Sequence, residues 1–174
     1  MNSAIAIIGS SRRNGNTGKL IDLISRELNI EVIDLNTKYI TPFDYEHKNF
    51  DDDFLPTMNH ILNFNNIIFA SPVYWYSMSA QMKVFIDRMS DFLSLEELKD
   101  IGRQLRSKTG YIVSTSISEK ADSSFLDSFT NTFDYLGMSV GSAIHVNCNT
   151  GFSLDNCHTD LNIFLKRFDD AVKV

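Results

Sequence analysis

Apolar residues in this chain follow two different spacings, which alternate from one end to the other. Short runs rich in β-branched residues predict strands, and stretches with apolar residues three or four positions apart predict amphipathic helices. The predicted strands span residues 5–8, 30–35, 66–71, 109–114 and 139–146. The predicted helices follow them, beginning after residue 17 and then spanning 54–63, 80–92, about 126–136 and about 155–172.

A strand followed by a helix, repeated five times, predicts an α/β fold. Right-handed crossovers between parallel strands place helices on both faces of the sheet, which gives a doubly wound architecture. The strand number and the length of 174 residues fit one domain spanning 1–174, with a flavodoxin-like five-stranded parallel sheet in the order 2-1-3-4-5. In such sheets ligands bind beyond the carboxyl ends of the strands. The loops at 9–17, 71–79 and 114–118 should therefore meet.

The first of these loops reads Gly-Ser-Ser-Arg-Arg-Asn-Gly-Asn-Thr at positions 9–17. It is not a dinucleotide fingerprint, because Ser11 stands at the second glycine position. Nor is it a nucleoside-triphosphatase loop, because Arg13 replaces the first glycine and Leu20 the hydroxyl residue. Small residues, hydroxyls and amides before a helix suit a single phosphate group, held at the helix N-terminus.

The side chains expected around that phosphate are Ser10, Ser11, Asn16 and Thr17, with Arg12 as the charge partner. Arg13 is expected to point into solvent. The alternative interpretation is an ordinary helix start, with Asn14 or Asn16 as the N-cap residue and no ligand.

The second loop carries three consecutive aromatic residues after a proline, at 72–76, and the third is rich in hydroxyls, at 115–118. Three adjacent aromatics cannot all enter one core, so at least one should be exposed or line a pocket. A phosphate site, a flat apolar wall and hydrogen-bonding groups together match the three parts of flavin mononucleotide (FMN). The aromatic triplet could alternatively form an oligomer interface.

Composition narrows the choice of partners and compartment. A net charge of −6 argues against a general nucleic-acid or membrane-surface role, and the four scattered histidines lack metal-ligand spacing, so no metal site is expected. Two isolated cysteines, the lack of a signal-peptide pattern and the lack of a transmembrane-length run favour the cytoplasm. Cys157 is expected near the start of the last helix, where the pKa of a thiol can fall. The polar, acidic segment 36–53 is either a rim of the binding site or a surface loop.

The loop at 9–17 and the segment Ser-Pro-Val-Tyr-Trp-Tyr-Ser-Met-Ser-Ala-Gln-Met-Lys-Val-Phe-Ile-Asp-Arg at 71–88 resemble the NAD(P)H-dependent FMN reductase family, whose fold is flavodoxin-like. The resemblance implies that the FMN phosphate is held by Ser10, Arg12, Asn16 and Thr17. It implies that the ribityl chain and isoalloxazine ring lie against Pro72, Val73, Tyr74 and Trp75, and that the pyrimidine edge of the ring meets Thr115 and Ser116.

The same resemblance implies an enzyme that passes hydride from NAD(P)H to FMN and then reduces a quinone, a nitro or azo compound or another small acceptor. The chemistry is the cofactor's, so no catalytic acid or base is predicted. Some relatives carry an iron–sulfur cluster after strand two, but residues 36–53 contain no cysteine, so no cluster is expected. Relatives are commonly homodimers, and the candidate contacts are Trp75, Tyr76, Met78 and the following helix.

Two rival hypotheses remain at the sequence level. The first is a flavodoxin-type electron carrier without its own NAD(P)H turnover, although the charge of −6 is modest for such a carrier. The second is a phosphate-sugar or nucleotide binder that takes no flavin.

Overall fold

The sheet contains β1 (Ala4–Ile8), β2 (Glu31–Asp34), β3 (Asn66–Pro72), β4 (Thr109–Ser116) and β5 (Ser139–Asn147). The structure is a computed structural model, and it describes residues 4–49 and 51–172. All neighbouring strands pair in parallel, in the order β2-β1-β3-β4-β5. The predicted architecture and strand order are thereby confirmed. The last residue of β1, Ile8, pairs with Asp34 on one side and Ala70 on the other, so the carboxyl ends of these strands lie together.

The α-helices of the described residues are α1 (Asn16–Leu28), α2 (Phe54–Ile61), α3 (Ala80–Asp87), α4 (Asp91–Ser94), α5 (Lys99–Arg103), α6 (Ser123–Leu136) and α7 (His158–Val172). The prediction of one helix over 80–92 was wrong, because the chain tightens into a 3₁₀ turn at Arg88–Ser90 between α3 and α4. The last helix begins at His158 rather than near Asp155, since a turn closed by Cys157 N–H donating to Leu154 O (3.1 Å) precedes it.

Hydrophobic packing occurs on both faces of the sheet. One face packs against α2, α3 and α6, which contribute mainly phenylalanine and methionine, and the other packs against α1 and α7. Every residue of β1 and β3 is buried, whereas only one residue of β2 is, as expected for central and edge strands. None of the described helices is both long and apolar enough to span a membrane.

The acidic segment before α2 is held by a buried ion-pair network. Arg88 is 1% exposed; its guanidinium pairs with Asp52 and donates to Asp91 Oδ2 at 2.8 Å. Asp52 Oδ2 also accepts from Thr41 N–H (3.0 Å) and Thr41 Oγ1 (2.9 Å). The described residues of 36–53 lie outside the cavity of the functional site, so this segment is a tethered loop and not a rim.

Candidate functional site

The loops after β1, β3 and β4 meet at the carboxyl edge of the sheet and enclose a cavity of about 790 Å³. That volume is typical of a small-molecule site. Ten of the eleven residues predicted to bind the ligand line the cavity: Ser10, Arg12, Asn16, Thr17, Pro72, Val73, Tyr74, Trp75, Thr115 and Ser116. Ser11 was predicted to join them, but it is exposed outside the lining.

One end of the cavity is the N-terminus of α1. The N-cap residue is Gly15, and no side chain caps this helix, so the alternative interpretation with Asn14 or Asn16 as the N-cap is wrong. The first N–H groups of α1 are therefore available to a ligand. Gly18 permits this geometry, because a Cβ there would lie 1.7 Å from the carbonyl oxygen of Arg13.

The two arginines of the first loop have different environments. Arg12 is exposed at the cavity, and its guanidinium has no hydrogen-bond or ion-pair partner among the described residues. The prediction that Arg13 points freely into solvent was wrong. Its side chain folds back along α1 and forms an ion pair with Asp22. The Ser10 hydroxyl shapes the turn that leads to Arg12 by donating to Arg12 O at 3.1 Å. Arg12 is therefore the cation left to meet an anionic ligand.

Hydroxyl groups join the three loops below the cavity. Thr17 Oγ1 lies 2.7 Å from Thr115 Oγ1, in a buried hydrogen bond that links the first loop to the third. Ser79 Oγ donates to Gly9 O at 2.6 Å and accepts from Met82 N–H at 3.2 Å, which caps α3 and ties the second loop to the first. The floor of the site is thus held by direct side-chain contacts.

The aromatic residues of the second loop form a tight two-residue turn. Tyr74 and Ser77 exchange backbone hydrogen bonds of 2.9 and 3.1 Å, and the intervening Trp75 and Tyr76 have φ angles of +48° and +65°. Positive φ at both central residues defines a type I′ turn, which ordinarily favours Asn and Gly. Trp75 is 92% exposed, so the turn presents an aromatic surface beside the cavity instead of burying it.

Several lining residues were not among the predicted ligand contacts, although the first four lie in the predicted loops: Gly15, Tyr76, Ile117, Ser118, Lys120, Ala121, Asp122, Ser123 and Cys148. Most belong to the stretch that leads into α6, whose N-cap Asp122 accepts from Ser124 N–H at 2.9 Å. An aspartate before a serine pair and an apolar-periodic run is a recognisable helix start. That signal could have placed a second helix N-terminus at the cavity.

The thiol groups differ from expectation. Cys148 is at the cavity and Cys157 lies just before α7, and both are buried. Burial raises the pKa of Cys148, and the neighbouring Cys157 raises it further. Burial and then Asp160 raise the pKa of Cys157, so the expected lowering at a helix start does not occur. Among residues 4–49 and 51–172, no three His, Cys, Asp or Glu side chains are grouped so as to hold a metal ion.

The profile of the family described as NADPH-dependent FMN reductase matches residues 3–153. The chain belongs to this family. It is 31% identical over 144 residues to YwqN of Bacillus subtilis, which carries the name NAD(P)H-dependent FMN-containing oxidoreductase; the match covers 78% of this chain and 80% of that one. The resemblance inferred from the residues is thereby confirmed, and the chain is an NAD(P)H-dependent flavin oxidoreductase that uses FMN.

Solved structures agree with the fold of an FMN reductase. The Trp repressor binding protein of Bacillus subtilis superimposes with a TM-score of 0.73 at 24% identity, covering 94% of this chain and 96% of that one. An FMN-dependent NADH-azoreductase of Bacillus anthracis, solved with FMN, gives a TM-score of 0.65 at 11% identity, with coverage of 99% and 100%. At these identities the likeness establishes the flavodoxin-like fold.

The geometry of this FMN reductase fits its cofactor at both ends. The uncapped N-terminus of α1 and the unpaired Arg12 supply donors and positive charge for a phosphate. The aromatic turn and Val73 contribute apolar surface to the lining, and Thr115 and Ser116 contribute hydroxyl-bearing residues. Arrangements of this kind bind and orient a cofactor that carries its own redox chemistry.

Proposed function

We propose that FMN binds in this cavity with its phosphate at the N-terminus of α1, and that the protein uses NAD(P)H to reduce a small-molecule acceptor such as a quinone, a nitro compound or an azo compound. The observation that carries the proposal is the helix N-terminus without a side-chain cap. It opens on the same cavity as the unpaired Arg12.

The phosphate end would be held by groups of the first loop. Backbone N–H groups of Asn16 and Thr17 and the guanidinium of Arg12 are the donors available, and the buried Ser10 shapes the turn that presents them. Charge-assisted hydrogen bonds contribute about 1.5–3 kcal/mol each. A chain with a net charge of −6 needs this local positive charge to retain a dianionic group.

The ring end would lie between the second and third loops. Pro72, Val73, Tyr74 and Trp75 offer apolar contact, and Thr115 and Ser116 offer hydrogen bonds to a polar edge. When bound there, FMN would accept hydride from NAD(P)H and deliver electrons to the second substrate. Trp75 and Tyr76 remain exposed beside the opening, where they would stack on a flat nicotinamide or aromatic acceptor.

Anaerobic spectroscopy tests the reaction. The purified protein is loaded with FMN, freed of excess cofactor and mixed with NADH or NADPH while the visible flavin band is followed. We expect rapid bleaching by at least one nucleotide, and recovery of colour when a quinone, a nitroarene or an azo dye is added. If the protein retains FMN but bleaches only after a separate reductase is supplied, it is an electron carrier. If it retains no FMN, the proposed cofactor site is wrong.

We further propose a homodimer formed around the aromatic turn. Trp75 and Tyr76 are exposed, and the start of α3 presents Ala80 and Lys83 at the surface. Met78 was predicted to join this contact, but it is 5% exposed within its own core and cannot. Sedimentation equilibrium should give the mass of two chains, and Trp75→Ser should shift it toward one. A monomer for the parent protein would contradict the proposal.

A further inference from the structure

His145 lies on β5, directly behind the third loop of the cavity. In the register of the sheet it stands opposite Ser114 of β4. Its Nδ1 is 2.8 Å from Ser114 Oγ, and its Nε2 is 3.1 Å from Ser116 Oγ and 3.2 Å from the carbonyl oxygen of Ser118. One half-buried imidazole ring therefore contacts two residues at the end of β4 and one in the loop that follows it.

These contacts determine which ring nitrogen of His145 carries the proton. The Ser118 carbonyl can only accept, so the Nε2 facing it must donate. In the neutral ring Nδ1 is then an acceptor, and the Ser114 hydroxyl donates to it at 2.8 Å in preference to the carbonyl oxygen of Ile144 at 3.4 Å. Burial lowers the pKa of His145, although the hydrogen bond to Ser118 opposes this, so the neutral ring is favoured. The network thus selects the Nε2–H tautomer.

This tautomer fixes the direction of the Ser116 hydroxyl group. Ser116 Oγ accepts from Ser118 N–H at 3.0 Å and also faces the Nε2–H of His145. Its two lone pairs are then occupied, and its own hydrogen has no acceptor among the described residues. Ser116 lines the cavity, so that hydrogen is available to a ligand.

We propose that His145 is a positioning residue that aims the Ser116 hydroxyl as a hydrogen-bond donor at an acceptor atom on the polar edge of the FMN ring. The inference rests on the proposed cofactor site and adds to it a residue outside the cavity lining. A donor at that edge favours the reduced ring, on which the edge carries more negative charge. His145 therefore contributes to cofactor affinity and potential through Ser116.

The end of β5 and the residue after it also hold the third loop in place, without orienting the Ser116 hydroxyl. Cys148 N–H donates to Ser116 O at 2.7 Å, and Asn147 Nδ2 donates to Glu119 Oε1 at 2.6 Å. The third loop thus keeps two anchors that do not involve the imidazole, besides the contact of the ring with the Ser118 carbonyl. Loss of His145 should change the direction of one hydroxyl group more than the path of the chain.

A double-mutant cycle on the FMN-loaded protein tests the proposal. Ser116→Ala and His145→Leu should each weaken FMN binding by about 3- to 10-fold, the range for one neutral hydrogen bond. In the Ser116→Ala background, His145→Leu should cost little further, because the hydroxyl it orients is gone. His60→Gln is the matched histidine control, since His60 is exposed and pairs with Glu31 far from the cavity.

Two measurements separate positioning from simple support of the loop. The midpoint potential of bound FMN should become more negative in His145→Leu, and His145→Gln should restore most of it, because the glutamine amide can donate from the position of Nε2. Equal losses for His145→Leu with and without Ser116 would overturn the proposal, and so would a potential equal to that of the parent.

Nitrogen NMR of the parent protein provides a test that needs no variant, and so is unaffected by misfolding. Long-range ¹H–¹⁵N correlations of the histidine rings should show His145 as the Nε2–H tautomer. An Nδ1–H tautomer would refute the argument. Because all these experiments start from protein that has taken up FMN, a chain that binds no FMN refutes the cofactor site itself, whereas binding with insensitive variants refutes only the role of His145.

Discussion

Thr17 and Thr115, 98 positions apart in the chain, share a buried hydrogen bond of 2.7 Å between their hydroxyl oxygens. Thr17 is the second residue of α1, and Thr115 is the last residue but one of β4. The contact joins the first and third loops of the cavity into a single unit.

Removing one hydroxyl of this pair should destabilise the fold. Thr17→Val or Thr115→Val leaves the other buried hydroxyl without its partner, so each should lower the free energy of unfolding by about 1–3 kcal/mol. The double variant should lose less than the sum of the two. Urea unfolding measures these values, with Thr159→Val on the exposed side of α7 as the control. Additive losses would show that the contact does not contribute as a pair.

The two neighbouring arginines should differ sharply in their effect on the cofactor. Arg12→Ala removes the unpaired cation at the cavity. It should weaken FMN binding by about 10- to 100-fold, because the charge-assisted hydrogen bonds of the guanidinium are lost. Arg13→Ala removes a cation already paired with Asp22 and should change the affinity little. Fluorescence titration of FMN gives both dissociation constants. Equal losses would mean that only the overall charge of the loop matters.

The ion-pair network of Asp52 should make stability fall in acid. Burial disfavours its charge, but hydrogen bonds from Thr41, Phe54 and Arg88 outweigh that effect and lower the pKa of Asp52 below its ordinary value of 3.8. A group whose pKa is lower in the folded state stabilises the protein above the unfolded-state pKa. That contribution is lost as the pH falls below 3.8 and through the folded-state pKa.

Asp52→Asn is the variant that tests this pH dependence. It should be less stable than the parent at neutral pH, because Arg88 loses one of its two buried carboxylate partners, and the difference should shrink as the pH falls below 3.8. Asp51→Asn, at an exposed neighbouring position, is the control. Urea midpoints across the acid range give the comparison. A gap that stays constant with pH would contradict the assignment.

The aromatic turn should lower the stability of the fold while supporting turnover. Trp75 and Tyr76 both hold positive φ angles, which cost a non-glycine residue roughly 1–2 kcal/mol each. Replacing the pair by Asn-Gly, the preferred type I′ sequence, should raise the free energy of unfolding of the FMN-free protein. The same change should slow turnover, because it removes the stacking surface beside the cavity. Asn29→Gly, at another positive φ, is the control for the glycine effect. Unchanged turnover would show that the aromatics serve another purpose.

The sequence by itself determined the order of strands and helices, because each element is encoded by an apolar spacing that can be read locally. It also determined which three loops meet at the cavity, since the ends of parallel strands must meet at one edge of the sheet. Ser10, Arg12, Tyr74 and Ser116 come together for that reason. The glycines of the first loop were visible in the sequence, but the choice of Gly15 as N-cap was not.

Only the tertiary structure decided the features that depend on partners far away in the chain. The helical pattern is interrupted at Arg88, which pairs with Asp52 across the loop. Met78 is buried, although Trp75 and Tyr76 shortly before it are exposed. Tyr76 adopts a backbone conformation that its own preference opposes, and the tautomer inferred for His145 depends on Ser118. Local spacing reports where a residue lies along an element, whereas hydrogen bonds and ion pairs between distant segments form only when the fold brings them together.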